Sequence, residues 1–188
     1  LVRIIILLPL VATPVAVGDA RWSKDGRSIY YTSDKGSEFR RLARYDLATA
    51  AETWLTADVP WDVEGYDLSD DGALIAVVFN EDGPSNLRVY YAATGRERTV
   101  HKPPPGLISN LEFRADSHEI GFTVSSSQAS ADVFSMDFDV KSPPGSMSLT
   151  FGAEDRFRLD RWTESETGGL DVSTFVEPEL IRYQTFDG

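Results

Sequence analysis

Apolar and polar positions along this chain recur in a fixed order roughly every 45 residues. The run Trp22-Ser23-Lys24-Asp25-Gly26-Arg27-Ser28-Ile29 aligns with Leu68-Ser69-Asp70-Asp71-Gly72-Ala73-Leu74-Ile75 and with Phe113-Arg114-Ala115-Asp116-Ser117-His118-Glu119-Ile120. The offsets are 46 and 45 residues. A large apolar residue opens each unit, Asp stands three places on and Ile seven on. The register persists beyond the turn: Leu42, Leu87 and Val133 correspond, as do Tyr45, Tyr90 and Met136. Glu52-Thr53-Trp54-Leu55-Thr56 corresponds to Glu97-Arg98-Thr99-Val100-His101.

Each unit predicts four short strands. The first carries the large apolar residue, as in Ala20–Ser23. Asp25-Gly26 and Asp71-Gly72 predict tight turns, because Gly accepts positive φ without a steric penalty and Asp caps the turn. The second strands are Ser28–Thr32, Leu74–Phe79 and Glu119–Val124, rich in β-branched and aromatic residues. Polar loops lead to third strands at Phe39–Leu47, Leu87–Ala92 and Asp132–Phe138. A further turn in each unit leads to a fourth strand. No segment carries a capped 3.6-residue period, so the chain reads as all-β.

Four antiparallel strands at this spacing are the signature of a β-propeller blade. The prediction is a partial β-propeller of about three blades, at residues 19–60, 61–105 and 106–150. The nearly continuous apolar run Leu74-Ile75-Ala76-Val77-Val78-Phe79 fits a strand buried on both faces between neighbouring blades. Trp22, Tyr30, Tyr31, Trp54, Phe113 and Phe122 are expected in the inter-blade core. Propellers close with typically 4–8 blades, so the chain is expected to be part of a larger protein.

Residues 1–18 stand apart as an apolar leader or remnant strand whose only charge is Arg3. A signal peptide ending near Ala20 and a strand continued from earlier structure both fit this segment. A membrane-spanning helix does not, because the run is short and holds Pro9 and Pro14. The compartment, cytoplasmic or periplasmic, turns on that choice.

Composition narrows the chemistry. The 188 residues include no Cys, which excludes a disulfide framework, Cys-ligated metal and a cysteine nucleophile. The net charge of −12 argues against nucleic acid as a partner. The charge is uneven, with 8 basic and 5 acidic residues up to residue 50 and 10 basic and 25 acidic after it. No Gly-x-Ser-x-Gly elbow occurs. The two histidines, His101 beside a triple-proline turn and His118 in a blade turn, read as structural or solvated. Asp70-Asp71-Gly72 and Asp137-Phe138-Asp139 suggest calcium only weakly, since the twelve-residue ligand loop is absent. Glu81-Asp82-Gly83 and Glu154-Asp155 read as solvated loops. Arg40-Arg41 with Arg44 forms a basic cluster in which Arg40 and Arg44 share one strand face and Arg41 takes the other. It fits surface salt bridges better than a carboxylate clamp. Pro143-Pro144-Gly145 is expected to break the third blade before its last strand.

The units resemble the propeller repeats of the prolyl oligopeptidase family of serine peptidases. The run from Trp22 to Asp34 and the run Leu42–Ala50 carry the likeness, and TolB-type propellers share the large-Ser-x-Asp-Gly pattern. The tail Glu177–Gly188 resembles the segment by which that family leaves its propeller and enters an α/β-hydrolase domain. Residues 151–188 are therefore expected to be an irregular blade remnant and a linker toward a hydrolase domain not contained here. The resemblance implies a substrate-gating propeller segment, with peptide substrates and the C-terminal hydrolase domain as partners. It implies hydrolysis by that absent domain, with this chain inactive by itself. No residue here is assigned a catalytic, cofactor-binding or metal role. The dipeptidyl branch of the family holds a substrate amine with a paired-Glu motif, and no Glu-Glu pair occurs in this sequence. The alternative is a non-catalytic TolB-type propeller that binds other proteins. Trp162 is expected to face a partner domain.

Overall fold

The computed structural model describes residues 14–100, 102–139 and 157–182. Expectations resting on residues 1–13, His101, Pro143-Pro144-Gly145, Glu154-Asp155 and Tyr183–Gly188 lie outside the described residues. Among the described residues, twelve strands form three four-stranded antiparallel sheets. Blade 1 holds β1 (Val17–Trp22), β2 (Ser28–Ser33), β3 (Arg41–Asp46) and β4 (Glu52–Trp54). Blade 2 holds β5 (Val63–Leu68), β6 (Leu74–Asn80), β7 (Ser85–Tyr91) and β8 (Glu97–Arg98). Blade 3 holds β9 (Leu107–Phe113), β10 (Glu119–Ser125), β11 (Asp132–Asp137) and β12 (Arg158–Arg161). Each sheet is a meander in chain order. Beyond the strands, a short 3-10 turn spans Val172–Thr174, and among the described residues no helix is long and apolar enough to cross a membrane. The chain is a partial propeller, all-β, as its repeat requires.

The outer strand of blade 3 comes from Arg158–Arg161, inside the stretch expected to be irregular remnant and linker. It pairs with β11 from Phe134↔Arg161 to Asp137↔Arg158. This strand is short, with Leu159 its single apolar residue, so it carries little of the periodic signal that marks the other strands.

The repeated turn owes its shape to the Ser-x-Asp-Gly sequence. In blade 1 the Ser23 hydroxyl donates to Asp25 (2.7 Å), and Asp25 accepts from the Arg27 amide (3.0 Å). Blade 2 repeats this with Ser69 to Asp71 (2.7 Å) and the Ala73 amide to Asp71 (2.9 Å). Gly26 and Gly72 take φ of 69° and 70°, a left-handed conformation that favours glycine. The third unit has Ser117 in place of Gly, and there Asp116 adopts the left-handed conformation at φ 53°. Asp tolerates that region better than most residues.

Two apolar clusters hold the blades together. Tyr30 and Leu42 of blade 1 pack with Tyr66, Leu68, Ile75, Val77, Phe79 and Tyr90 of blade 2. Leu74, Ala76, Val78, Leu87 and Val89 on the other face of blade 2 pack with Phe113, Ile120, Phe122, Val124, Phe134 and Met136 of blade 3. Alternate residues of β6 thus serve different interfaces, as strand pleating dictates. Fully burying each Val, Leu, Ile, Phe or Met side chain among them is worth about 1.5–3 kcal/mol.

Tyr30, Phe113 and Phe122 lie in the inter-blade clusters as expected, whereas Tyr31 is buried within blade 1, against Trp54 and Glu52. Trp22 is not buried: it is 46% exposed. Its counterparts Leu68 and Phe113 point toward the preceding blade, and among the described residues no sheet precedes blade 1. Trp54 is half-buried, edge-on to Tyr31, with the Arg41 guanidinium 4.4 Å above its ring centre.

Candidate functional site

The turns that open the three units lie side by side along one rim of the stack, because each blade repeats the same strand order. Side chains one repeat apart therefore meet. Arg21 donates to Asp67 (2.8 Å), 46 residues on, and Asp67 accepts from the Phe113 amide (2.7 Å), another 46 on. Lys24 donates to Asp70 (2.7 Å), which accepts from the Asp116 amide (2.8 Å), at the same two offsets. The Tyr66 hydroxyl bonds the Asp19 carbonyl across the first interface. Asp67 is buried, so without these donors its charge would be costly to hold.

At the second interface the ladder opens into a cavity of about 360 Å³ lined by Asp70, Asp71, Asp116, Ser117, His118 and Asp139. His118 stands between two carboxylates. Its Nδ1 lies 2.9 Å from Asp139 and its Nε2 lies 2.9 Å from Asp71. Partial burial opposes the imidazolium charge, but the bonds to Asp139 and Asp71 outweigh it and raise the pKa above the ordinary histidine value. Burial also opposes ionisation of Asp71, yet the Ala73 amide, Ser69 and His118 together draw it down to about 2. Asp70 is held low by Lys24 and the Asp116 amide.

This arrangement does not support nucleophilic catalysis. A general base needs a free ring nitrogen beside a hydroxyl or thiol, and both nitrogens of His118 are engaged by carboxylates. The Ser117 hydroxyl accepts from the Glu119 amide (3.0 Å). Asp70-Asp71 and Asp137-Phe138-Asp139, separate in sequence, supply neighbouring lining groups, but no group of three or more His, Asp or Glu among the described residues is arranged to hold a metal ion.

The remaining polar motifs resolve into structural contacts. Arg41 donates to the Lys35 carbonyl (2.6 Å) and stacks on Trp54. Arg44 lies on the opposite strand face, paired with Tyr30 and Thr53. The Arg40 amide donates to Asp62 (2.6 Å). Glu81, expected in a solvated loop, instead accepts from Arg88 and Asn86, each at 2.6 Å, because β7 returns directly beneath it. Asp82 accepts from Arg182 (2.7 Å), which brings the exit segment back to blade 2. Trp162 is 64% exposed, and its ring N–H donates to Ser135 (2.9 Å). Nearby, buried Asp132 accepts from Arg161 (2.7 Å) and from the Ser165 amide (2.8 Å), fastening the start of the exit segment to blade 3.

Taken singly, the aspartates and His118 of the rim offer no reason to be grouped. The signal that could have found them is charge complementarity at one repeat spacing, as in Arg21 with Asp67 and Lys24 with Asp70.

No family model matches the sequence, and no curated protein matches it. Solved structures do match its fold. Puromycin hydrolase aligns with a TM-score of 0.66 and 19% identity over 93% of this chain and 24% of its own. Prolyl oligopeptidase B from Galerina marginata aligns with a TM-score of 0.64 and 12% identity over 84% of this chain and 20% of its own. TolB from Acinetobacter baumannii aligns with a TM-score of 0.54 and 17% identity over 68% of this chain and 31% of its own. The chain thus spans less than one third of each of these proteins. At these identities the likeness is one of fold: the chain is a partial β-propeller, with blades built like those in prolyl oligopeptidase and TolB structures.

Proposed function

We propose that this chain is the substrate-gating propeller segment of a prolyl oligopeptidase-like serine peptidase. The observation that carries the reading is the extent of the likeness to puromycin hydrolase, which takes in 93% of the chain, against 68% for TolB. The Glu177–Gly188 tail, read as the approach to an α/β-hydrolase domain, supports the same reading. In this view peptide hydrolysis belongs to a catalytic domain downstream, and the blades restrict which peptides reach it. No member of a Ser-His-Asp triad is assigned to this chain. The rival reading, a non-catalytic TolB-type propeller for protein–protein interaction, rests on the TolB likeness.

The test is to read the gene beyond Gly188 and to express the chain with and without its downstream extension. The expected continuation holds Gly-x-Ser-x-Gly, then Asp, then His. The long form should cleave short peptide amides and spare folded proteins, and the 188-residue chain should cleave neither. A stop codon directly after Gly188, or hydrolysis that tracks the short chain through purification and is lost on mutating one of its own residues, would overturn the reading.

A further inference from the structure

The rim cavity holds a histidine whose two ring nitrogens both face carboxylates at 2.9 Å. A neutral imidazole has one N–H and one lone pair. Only the imidazolium can donate in both directions. On losing its proton, the ring must present a lone pair to an ionised oxygen at hydrogen-bond distance, so one of the two contacts turns from attractive to repulsive. One contact lies within blade 3, from His118 to Asp139 just after β11. The other crosses to the blade 2 turn at Asp71. Asp71 also shapes that turn through Ser69 and the Ala73 amide, so moving it disturbs the turn itself.

The charged groups around the ring favour the same state. Among the described residues they are Asp71 and Asp70 from the blade 2 turn, Asp116 from the blade 3 turn and Asp139 after β11. Lys24 from the blade 1 turn is bonded to Asp70. Four carboxylates therefore face one lysine and the ring. The side chain of His118 is 26% exposed, which leaves it open to proton exchange with solvent.

We infer that His118 is a pH-sensitive clasp between blades 2 and 3, closed onto Asp71 and Asp139 when doubly protonated and released from one of them when neutral. The clasp is fully present below the ordinary histidine pKa and is lost as pH rises through the raised value of the folded state. The inference concerns the stack itself and does not depend on the proposed peptidase role.

Two measurements on the 188-residue chain decide it. The first is side-chain ¹H–¹⁵N NMR titration of His118, with His101→Gln to leave a single histidine. Both ring nitrogens should carry protons at pH 6, with a midpoint above about 6.5, the unperturbed value. Asp71→Asn should bring that midpoint down. A neutral single tautomer at pH 6 would overturn the clasp. So would a midpoint that ignores Asp71→Asn, which would mean that the general acidity of the chain alone sets it. The second is a double-mutant cycle of His118→Gln and Asp71→Asn by urea unfolding. Because the groups are partly exposed, coupling should change the unfolding constant about threefold to fivefold at pH 5.5 and be weaker at pH 8.5, where the neutral ring keeps a single N–H to donate. Equal coupling at both pH values, or none at pH 5.5, would count against the clasp. Should a variant fail to fold, the NMR titration of the otherwise native chain still decides.

Discussion

β6 and β10 hold equivalent places in consecutive blades, yet they are built on different rules. β6 reads Leu74-Ile75-Ala76-Val77-Val78-Phe79 and is buried at every one of these positions. β10 reads Glu119-Ile120-Gly121-Phe122-Thr123-Val124 and alternates, with Ile120, Phe122 and Val124 buried and their neighbours only partly so. Among the described residues, the two strands differ in the number of sheets they meet. β6 has blade 1 on one face and blade 3 on the other, so both side-chain rows must be apolar. β10 sends one row into the second cluster. Its other row, continued across the sheet by Val133 and Ser135, is polar or small, and Val133 is 42% exposed. Within one repeat family, the alternation of each strand therefore tracks what the described residues place on its two faces.

The largest test of that contrast lies within β10. Phe122→Ala should cost about 3–5 kcal/mol in urea unfolding, by the lost burial and the cavity left behind. Thr123→Val, one residue along on the other row, should change stability by less than about 0.5 kcal/mol. Comparable costs at the two sites would mean that both rows of β10 are packed alike.

Next comes the equivalent of that polar row in blade 2. Val78 corresponds in register to Thr123, since they pair with Leu87 and Val133. Val78→Thr buries a hydroxyl in an aliphatic cluster and should cost about 1–3 kcal/mol, seen as a lower urea midpoint. A neutral result would show that the blade 2–blade 3 interface admits a polar row after all.

The polar rim should respond on a similar or smaller scale. Asp67→Ala leaves the Phe113 amide without its acceptor at a buried position and releases Arg21, for an expected loss of about 1–3 kcal/mol. Amide exchange at Phe113 should speed up in that variant, and unchanged exchange would mean that another group takes over the bond.

The smallest effect is at Asp71 and has a definite sign. Its carboxyl is held at about 2, below the ordinary 3.8, so it adds stability above that ordinary value and loses it as pH falls toward 2. Discounted for exposure, the contribution is about 0.5–1 kcal/mol. Asp71→Asn should therefore narrow the gap in stability between pH 5 and pH 2.5, and an unaltered gap would remove Asp71 from the acid response.

Much of this was legible in the sequence because turns and pleats are local. Ser23 and Asp25 lie two residues apart, and their hydrogen bond needs no other part of the molecule. The two-faced burial of β6 was legible too, since an unbroken apolar row has few other uses. The position of β12 was not, because three charged residues around the single apolar Leu159 give no periodic signal until β11 offers an edge to pair with. Trp22 misled for a related reason: its place in the repeat says which way it points, and among the described residues no sheet stands on that side.

The residues by themselves thus determined the repeat, the turn chemistry and the strand order, all of which depend on groups close in the chain. The meeting of Asp71, His118 and Asp139, and of Asp67 with Arg21 and Phe113, was decided only when the blades stacked. Stacking brings residues a full repeat apart to within hydrogen-bond distance, and the protonation of His118 is set by those neighbours rather than by its place in the sequence.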